Sequence, residues 1–75
     1  MKLPILSGKE VVKALKRADF VIIRQTGSHI VMTKNTSGGK RTVIVPQHPE
    51  LAKGTFLSII SQSGLSREEF VRLLK

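Results

Sequence analysis

Two short patterns near the ends of the chain constrain its fold more than any other feature. Ser7-Gly8-Lys9-Glu10 and Ser66-Arg67-Glu68-Glu69 each place a serine three residues before a glutamate. The serine hydroxyl can take the third backbone N–H of a helix while the glutamate answers the serine's own N–H, so each pattern predicts a helix start. Leu6 with Val11, and Leu65 with Phe70, flank these boxes at the spacing of a hydrophobic staple. The first helix runs on to Ala18, with Val11, Leu15 and Ala18, joined by Val12 and Ala14, forming one apolar stripe. Lys9, Lys13, Lys16 and Arg17 fall at i, i+4, i+7 and i+8 and line the other side. A solvated face is the ordinary reading of such a row. With no acids interleaved among these cations, a surface for a polyanion competes with it on even terms.

Between the boxes stand three runs rich in β-branched residues, Phe20 to Thr26, His29 to Lys34 and Arg41 to Val45. Gly27-Ser28 separates the first two, and the turn-rich Asn35 to Lys40 joins the second pair, so an antiparallel meander is the simplest topology. Val21 and Ile23 alternate with Phe20 and Ile22, and Val31 with Ile30 and Met32, which predicts apolar side chains on both faces. One face packs on helices. The other, left open, would suit a partner protein or a second copy of the chain. Pro46-Gln47-His48-Pro49 is then a loop, and Gly54-Thr55 leads into a helix burying Phe56, Leu57, Ile59 and Ile60 before Gly64 ends it. The last helix is expected to bury Phe70, Val71, Leu73 and Leu74. The order is α-β-β-β-α-α, an α+β fold, and no repeat or linker divides residues 1–75 into more than one domain.

Composition narrows the partner. Net charge is +8, and residues 1–41 hold nine Lys or Arg against Glu10 and Asp19, whereas residues 42–75 hold four against three acids. The positive field therefore belongs to the N-terminal half and favours a polyanion. Cysteine is absent, which excludes disulfides and gives an oxidising compartment no support, so the cytoplasm is the expected setting. The start, Met1 to Ser7, has one charge and an apolar run too short, and broken by Pro4, for a secretion signal. No apolar stretch is long enough for a membrane span.

Most chemical templates fail. Gly38-Gly39-Lys40 joins two strands, with Arg41 where a phosphate-binding loop needs a hydroxyl. Two histidines and five carboxylates leave little from which to build a catalytic metal site, and no cofactor is expected. Glu68 and Glu69 fit helix capping. His29 differs because it follows Gly27-Ser28 at the mouth of a hairpin, with Arg24 just upstream. A lone histidine at a strand start is more often structural or merely exposed. An imidazole, which titrates near neutrality, is nonetheless the side chain best suited to take a proton from a ribose 2′-hydroxyl, and that points to RNA.

Together these residues resemble the HicA family of toxins from bacterial and archaeal toxin–antitoxin pairs, small ribonucleases that cleave messenger RNA. The likeness runs from Ala18-Asp19-Phe20 through Arg24-Gln25-Thr26-Gly27-Ser28-His29 to Val45-Pro46-Gln47-His48, Lys53-Gly54-Thr55 and the segment Ile59 to Phe70. It implies a fold like the double-stranded RNA-binding domain, with helices on one face of a three-stranded antiparallel sheet, and an antitoxin of the HicB type that masks the site. His29, with Gly27 and Ser28, matches the catalytic motif, and His48 matches a recurrent position. Thr26 stands where the family often has a basic residue, and Asp19 where glycine is common.

The expected activity is thus a metal-independent endoribonuclease in which His29 assists attack of the 2′-hydroxyl on the adjacent phosphate. Arg24, Lys34 and Arg41 are candidates, by strand position, to steady charge on phosphorus. Lys9, Lys13 and Lys16 would hold the RNA backbone, and His48 or a lysine would protonate the leaving oxygen. A non-catalytic RNA-binding module explains the basic residues equally well but has no need of an imidazole beside Gly27. A protein-interaction module explains Ile30 and Met32 but leaves the basic half without a role.

Overall fold

The computed structural model describes residues 4–74; Met1 to Leu3, part of the start judged too short for a secretion signal, lie outside the described residues. In chain order the elements are α1 (Gly8–Arg17), β1 (Val21–Thr26), β2 (His29–Thr36), β3 (Gly39–Pro46), α2 (Lys53–Ser63) and α3 (Arg67–Arg72). The strands form one antiparallel sheet in the order β1-β2-β3. This is the expected α+β order. The second hairpin is tighter than its turn-rich sequence implied: pairing continues to Thr36 opposite Gly39, which leaves Ser37-Gly38 as the turn.

Both capping boxes form. The Ser7 and Glu10 backbone and side chains exchange bonds of 3.0 and 3.2 Å, and Ser66 and Glu69 do the same at 3.0 and 3.1 Å. At the far end of α1 the chain closes in a Schellman motif: Phe20 N–H donates to the Leu15 carbonyl and Asp19 N–H to that of Lys16, each at 3.0 Å. Asp19 occupies the left-handed region at φ 71°. This explains physically why glycine is the easier residue there, aspartate being among the few side chains that tolerate it. Buried Phe20 and Leu15 complete the motif's hydrophobic contact.

The core lies between the helices and one face of the sheet. Val11, Val12, Ala14 and Leu15 from α1, Ile30 and Met32 from β2, Val43 and Val45 from β3, Phe56, Ile59 and Ile60 from α2, and Phe70 are all buried together. Phe56 and Phe70 meet edge to face with centroids 5.4 Å apart, tying α3 to α2. Around them Leu57 and Val71 are only half-buried, as are Leu73 and Leu74, so the last helix buries less than its sequence suggested. On the other face Val21 (57% exposed), Ile23 (54%) and Ile44 (48%) stay in solvent, as the two-sided strand pattern predicted.

The Ser66 backbone N–H, and after it the Ser66 hydroxyl, hold the Glu69 carboxyl below its ordinary value. A carboxyl lowered by folding stabilises the native state fully above its unfolded pKa, and that contribution is lost as pH falls through the folded value. Urea unfolding followed from pH 6 down to pH 2 should therefore show a shallower acid limb in Glu69→Gln than in the parent chain. Identical limbs would mean that the capping carboxylate does not couple to folding.

Candidate active site

β1 and β2 are joined by the two-residue turn Gly27-Ser28, which pairs Thr26 with His29. Gly27 has φ 39° and open space where a side chain would stand, so backbone geometry, rather than crowding by the protein, favours glycine there. His29 is exposed at the first position of β2, and the Ser28 hydroxyl oxygen lies 3.2 Å from its Nδ1. If Nδ1–H donates to that hydroxyl, Nε2 carries the lone pair and faces outward as a base.

The opposite edge of the site comes from β3. His29 pairs with Pro46, and Gln47 N–H donates to the Ser28 carbonyl at 2.6 Å, so the Pro46 loop is bound directly to the histidine turn. The same loop is bound to the start of α1. Gly8 N–H donates to the His48 carbonyl at 2.9 Å, and Leu51 N–H to that of Leu6 at 2.8 Å. A Cβ on Gly8 would overlap the Pro46 carbonyl oxygen and stand 2.9 Å from Gln47 Nε2. Only glycine lets the helix come this close, and it carries Lys9 to the same end of the molecule as His29 and His48.

The face on which Arg24 emerges follows from the turn. With Thr26 paired to His29 and Gln25 to Ile30, Arg24 falls opposite Val31, on the open face that it shares with His29. Beyond it the ladder is irregular in a way that the strand pattern does not reveal: Ile22 and Val21 pair with Met32 and Thr33, so Ile23 is an extra residue. An unbroken ladder would set Ile22 opposite Thr33, on the open face, and the bulge turns it to the core face instead.

The site residues expected from the sequence therefore divide. Gly27, Ser28, His29 and Arg24 come together on the hairpin, the loop that bears His48 is bonded to them through Gln47, Lys9 lines a hollow with that loop, and Lys13 and Lys16 continue along α1 at about 6 and 10 Å from Lys9. Lys34 and Arg41 do not join them. They pair with each other five residues along β2 from His29, roughly 17 Å away, and on the face that carries Met32. Lys34 Nζ stands 5.9 Å above the Phe20 ring. Arg41 packs against Gly64, where α2 ends without a basic residue of its own, a place that favours a cation. Sequence reasoning passed over Gly8 and Gln47, whose only signal was a glycine inside an otherwise good helix start.

Among the described residues no three of His, Cys, Asp and Glu gather as a metal-holding group, and no helix is long and apolar enough to cross a membrane. Across residues 8–65 the chain matches the family model for HicA toxins of bacterial toxin–antitoxin systems. The chain belongs to the HicA toxin family. No curated protein matches it. The matched span opens at Gly8 and includes the hairpin, the bulge and the Pro46 loop, and membership makes the protein a toxin with an antitoxin as its partner.

Because Gly8 sets the distance between α1 and the Pro46 loop, Gly8→Ala in the toxin should push the two apart. The Gln47 amide, now bonded to the Ser28 carbonyl, should then exchange its hydrogen faster than in the parent chain, while amides in the middle of β2 keep their protection. Unchanged exchange at Gln47 would show that the loop holds its place without the helix.

Proposed function

We propose that the toxin is an endoribonuclease that cleaves messenger RNA by a metal-independent, histidine-assisted reaction, and that His29 is its general base. The observation that carries this reading is the setting of His29: an exposed imidazole, steadied at Nδ1 by Ser28, on a turn bonded to the Pro46 loop, which a basic helix approaches through Gly8. His29 Nε2 takes the 2′-hydroxyl proton as that oxygen attacks the neighbouring phosphorus, and Nδ1–H keeps its bond to the Ser28 hydroxyl throughout. Arg24, set on the same face by the register of the turn, opposes the charge that builds on the phosphoryl oxygens. The leaving 5′-oxygen takes its proton from His48 or Lys9. Lys13 and Lys16 hold phosphates farther along the strand, while Lys34 and Arg41 act in folding more than in RNA contact.

The alternative, an RNA-binding module without chemistry, is separated by one substitution. His29→Ala should fold and bind RNA as the parent does, yet cleavage should fall by about 10²- to 10⁴-fold. Products from the parent should end in a 2′,3′-cyclic phosphate and a 5′-hydroxyl, and chelator should make no difference. Affinity for single-stranded RNA should fall with salt at a slope of about −0.7 per neutralised phosphate, so three to five contacts give roughly −2 to −4. Replacing Lys9, Lys13 and Lys16 together by Ala should flatten that slope. Cleavage that persists in His29→Ala, or that stops in chelator, removes the mechanism.

The antitoxin, on this reading, is of the HicB type and settles over the open sheet face, where Val21, Ile23 and Ile44 are exposed and His29 and Arg24 project. An acidic protein surface would complement Arg24 and the charge of α1. In the complex, His29 should resist a histidine-selective acylating reagent that modifies it readily in the free toxin. An inhibited complex in which His29 is still modified at the free rate would place the antitoxin elsewhere.

A further inference from the structure

Beside the His29 turn lies a hollow of about 280 Å³ lined by Ser7, Lys9, Gln47, His48 and Pro49. It opens where the Pro46 loop meets the start of α1, two residues beyond the Pro46 that pairs with His29, hence roughly 7 Å along the strand direction. The hollow is poorly suited to a phosphate. Gly8 N–H is taken by the His48 carbonyl, Gln47 N–H by that of Ser28, and Glu10 N–H by the Ser7 hydroxyl. Ser7 N–H holds the Glu10 carboxylate, a negative charge already seated at this end of the helix. These four backbone donors, which an anion at this helix start would otherwise take, are thus committed, and Lys9 is the single cation in the lining.

What the lining does offer is flat and mostly apolar: the imidazole of His48 and the ring of Pro49, with the carboxamide of Gln47 at one side. An unpaired base is a flat ring with hydrogen-bonding edges, and histidine is among the side chains on which such bases stack. We infer that this hollow receives the base of a nucleotide flanking the scissile phosphate, stacked on His48 and Pro49, with Lys9 meeting a backbone phosphate at its rim. The inference rests on the reading of His29 as the cleavage centre. It gives His48 a role in substrate selection that does not depend on proton transfer, and it favours single-stranded RNA as the substrate, since a paired base would first have to break its pair and unstack to enter.

Binding separates this assignment from the nuclease reading. A short RNA made uncleavable by 2′-deoxy substitution at the cleaved nucleotide, or throughout if no cut is found, would be titrated into the full chain with one abasic residue walked along it. At one position, loss of the base should weaken Kd by about 5- to 150-fold, the range that stacking on one side chain supplies. His48→Ala should weaken the intact RNA by a similar factor and make that abasic position harmless, because both changes remove the same contact. His48→Phe, which keeps a flat ring and cannot transfer a proton, should restore both affinity and the abasic penalty. Equal Kd at every abasic position, or penalties that multiply in His48→Ala, would overturn the pocket, as would a hollow that serves only an antitoxin side chain. Failure to cleave the all-ribose RNA would instead strike the nuclease reading and leave the Kd comparison to decide the pocket.

Discussion

Everything at the candidate site hangs on the close approach of α1 to the end of β3. Two backbone hydrogen bonds, Gly8 to His48 and Leu51 to Leu6, hold the Pro46 loop against the start of the helix, and a third, Gln47 to Ser28, binds that loop to the histidine turn. The helix supplies the cations, the turn supplies the imidazole, and the loop alone touches both. A side chain at Gly8 would separate them by its own bulk. Glycine is among the poorer residues inside a helix, by up to about 1 kcal/mol relative to alanine, and here that cost accompanies an assembled site.

Covering the outer edge of β3 serves the same end. With Gln47 N–H directed at Ser28, the alternation of an antiparallel ladder turns the Ile44 N–H outward, where Gln62 Oε1 of α2 accepts it at 3.1 Å. The Pro46 carbonyl lies against Gly8. Helices thereby cover the edge of β3 around Ile44 and Pro46, while β1, exposed along its whole length, forms the sheet's other edge. Its bulge at Ile23 interrupts that edge as well as turning Ile22 to the core face, so one inserted residue both re-aims a side chain and breaks up a strand that could otherwise pair with another chain.

How much of this was legible in the sequence follows from how local each feature is. The two capping boxes, their staples, the order of elements and the two-residue turn before His29 all depend on residues within a few positions of one another, and they could be read directly. Arg24, Lys34 and Arg41 looked equivalent because each lies in a strand run. Which face each one takes depends on register, and register depends on the turn, the core and the bulge acting together, which no single segment encodes. The left-handed Asp19 was hinted at only by its departure from glycine. Gly8 carried almost no signal, since its partner, Pro46, lies far away along the chain.

That sequence separation also orders the events of folding. The β1–β2 turn closes over two residues and the β2–β3 turn over two more, whereas the bond from Gly8 to His48 closes a loop of roughly forty residues. Local contacts form first, because distant ones must meet a larger loss of chain entropy. The hairpin that bears His29 can therefore take shape before the Pro46 loop docks on the helix, so the imidazole is in place early and its surroundings late. A cell making such a toxin thus has an interval in which the chain is present without its site, and an antitoxin has that interval in which to arrive.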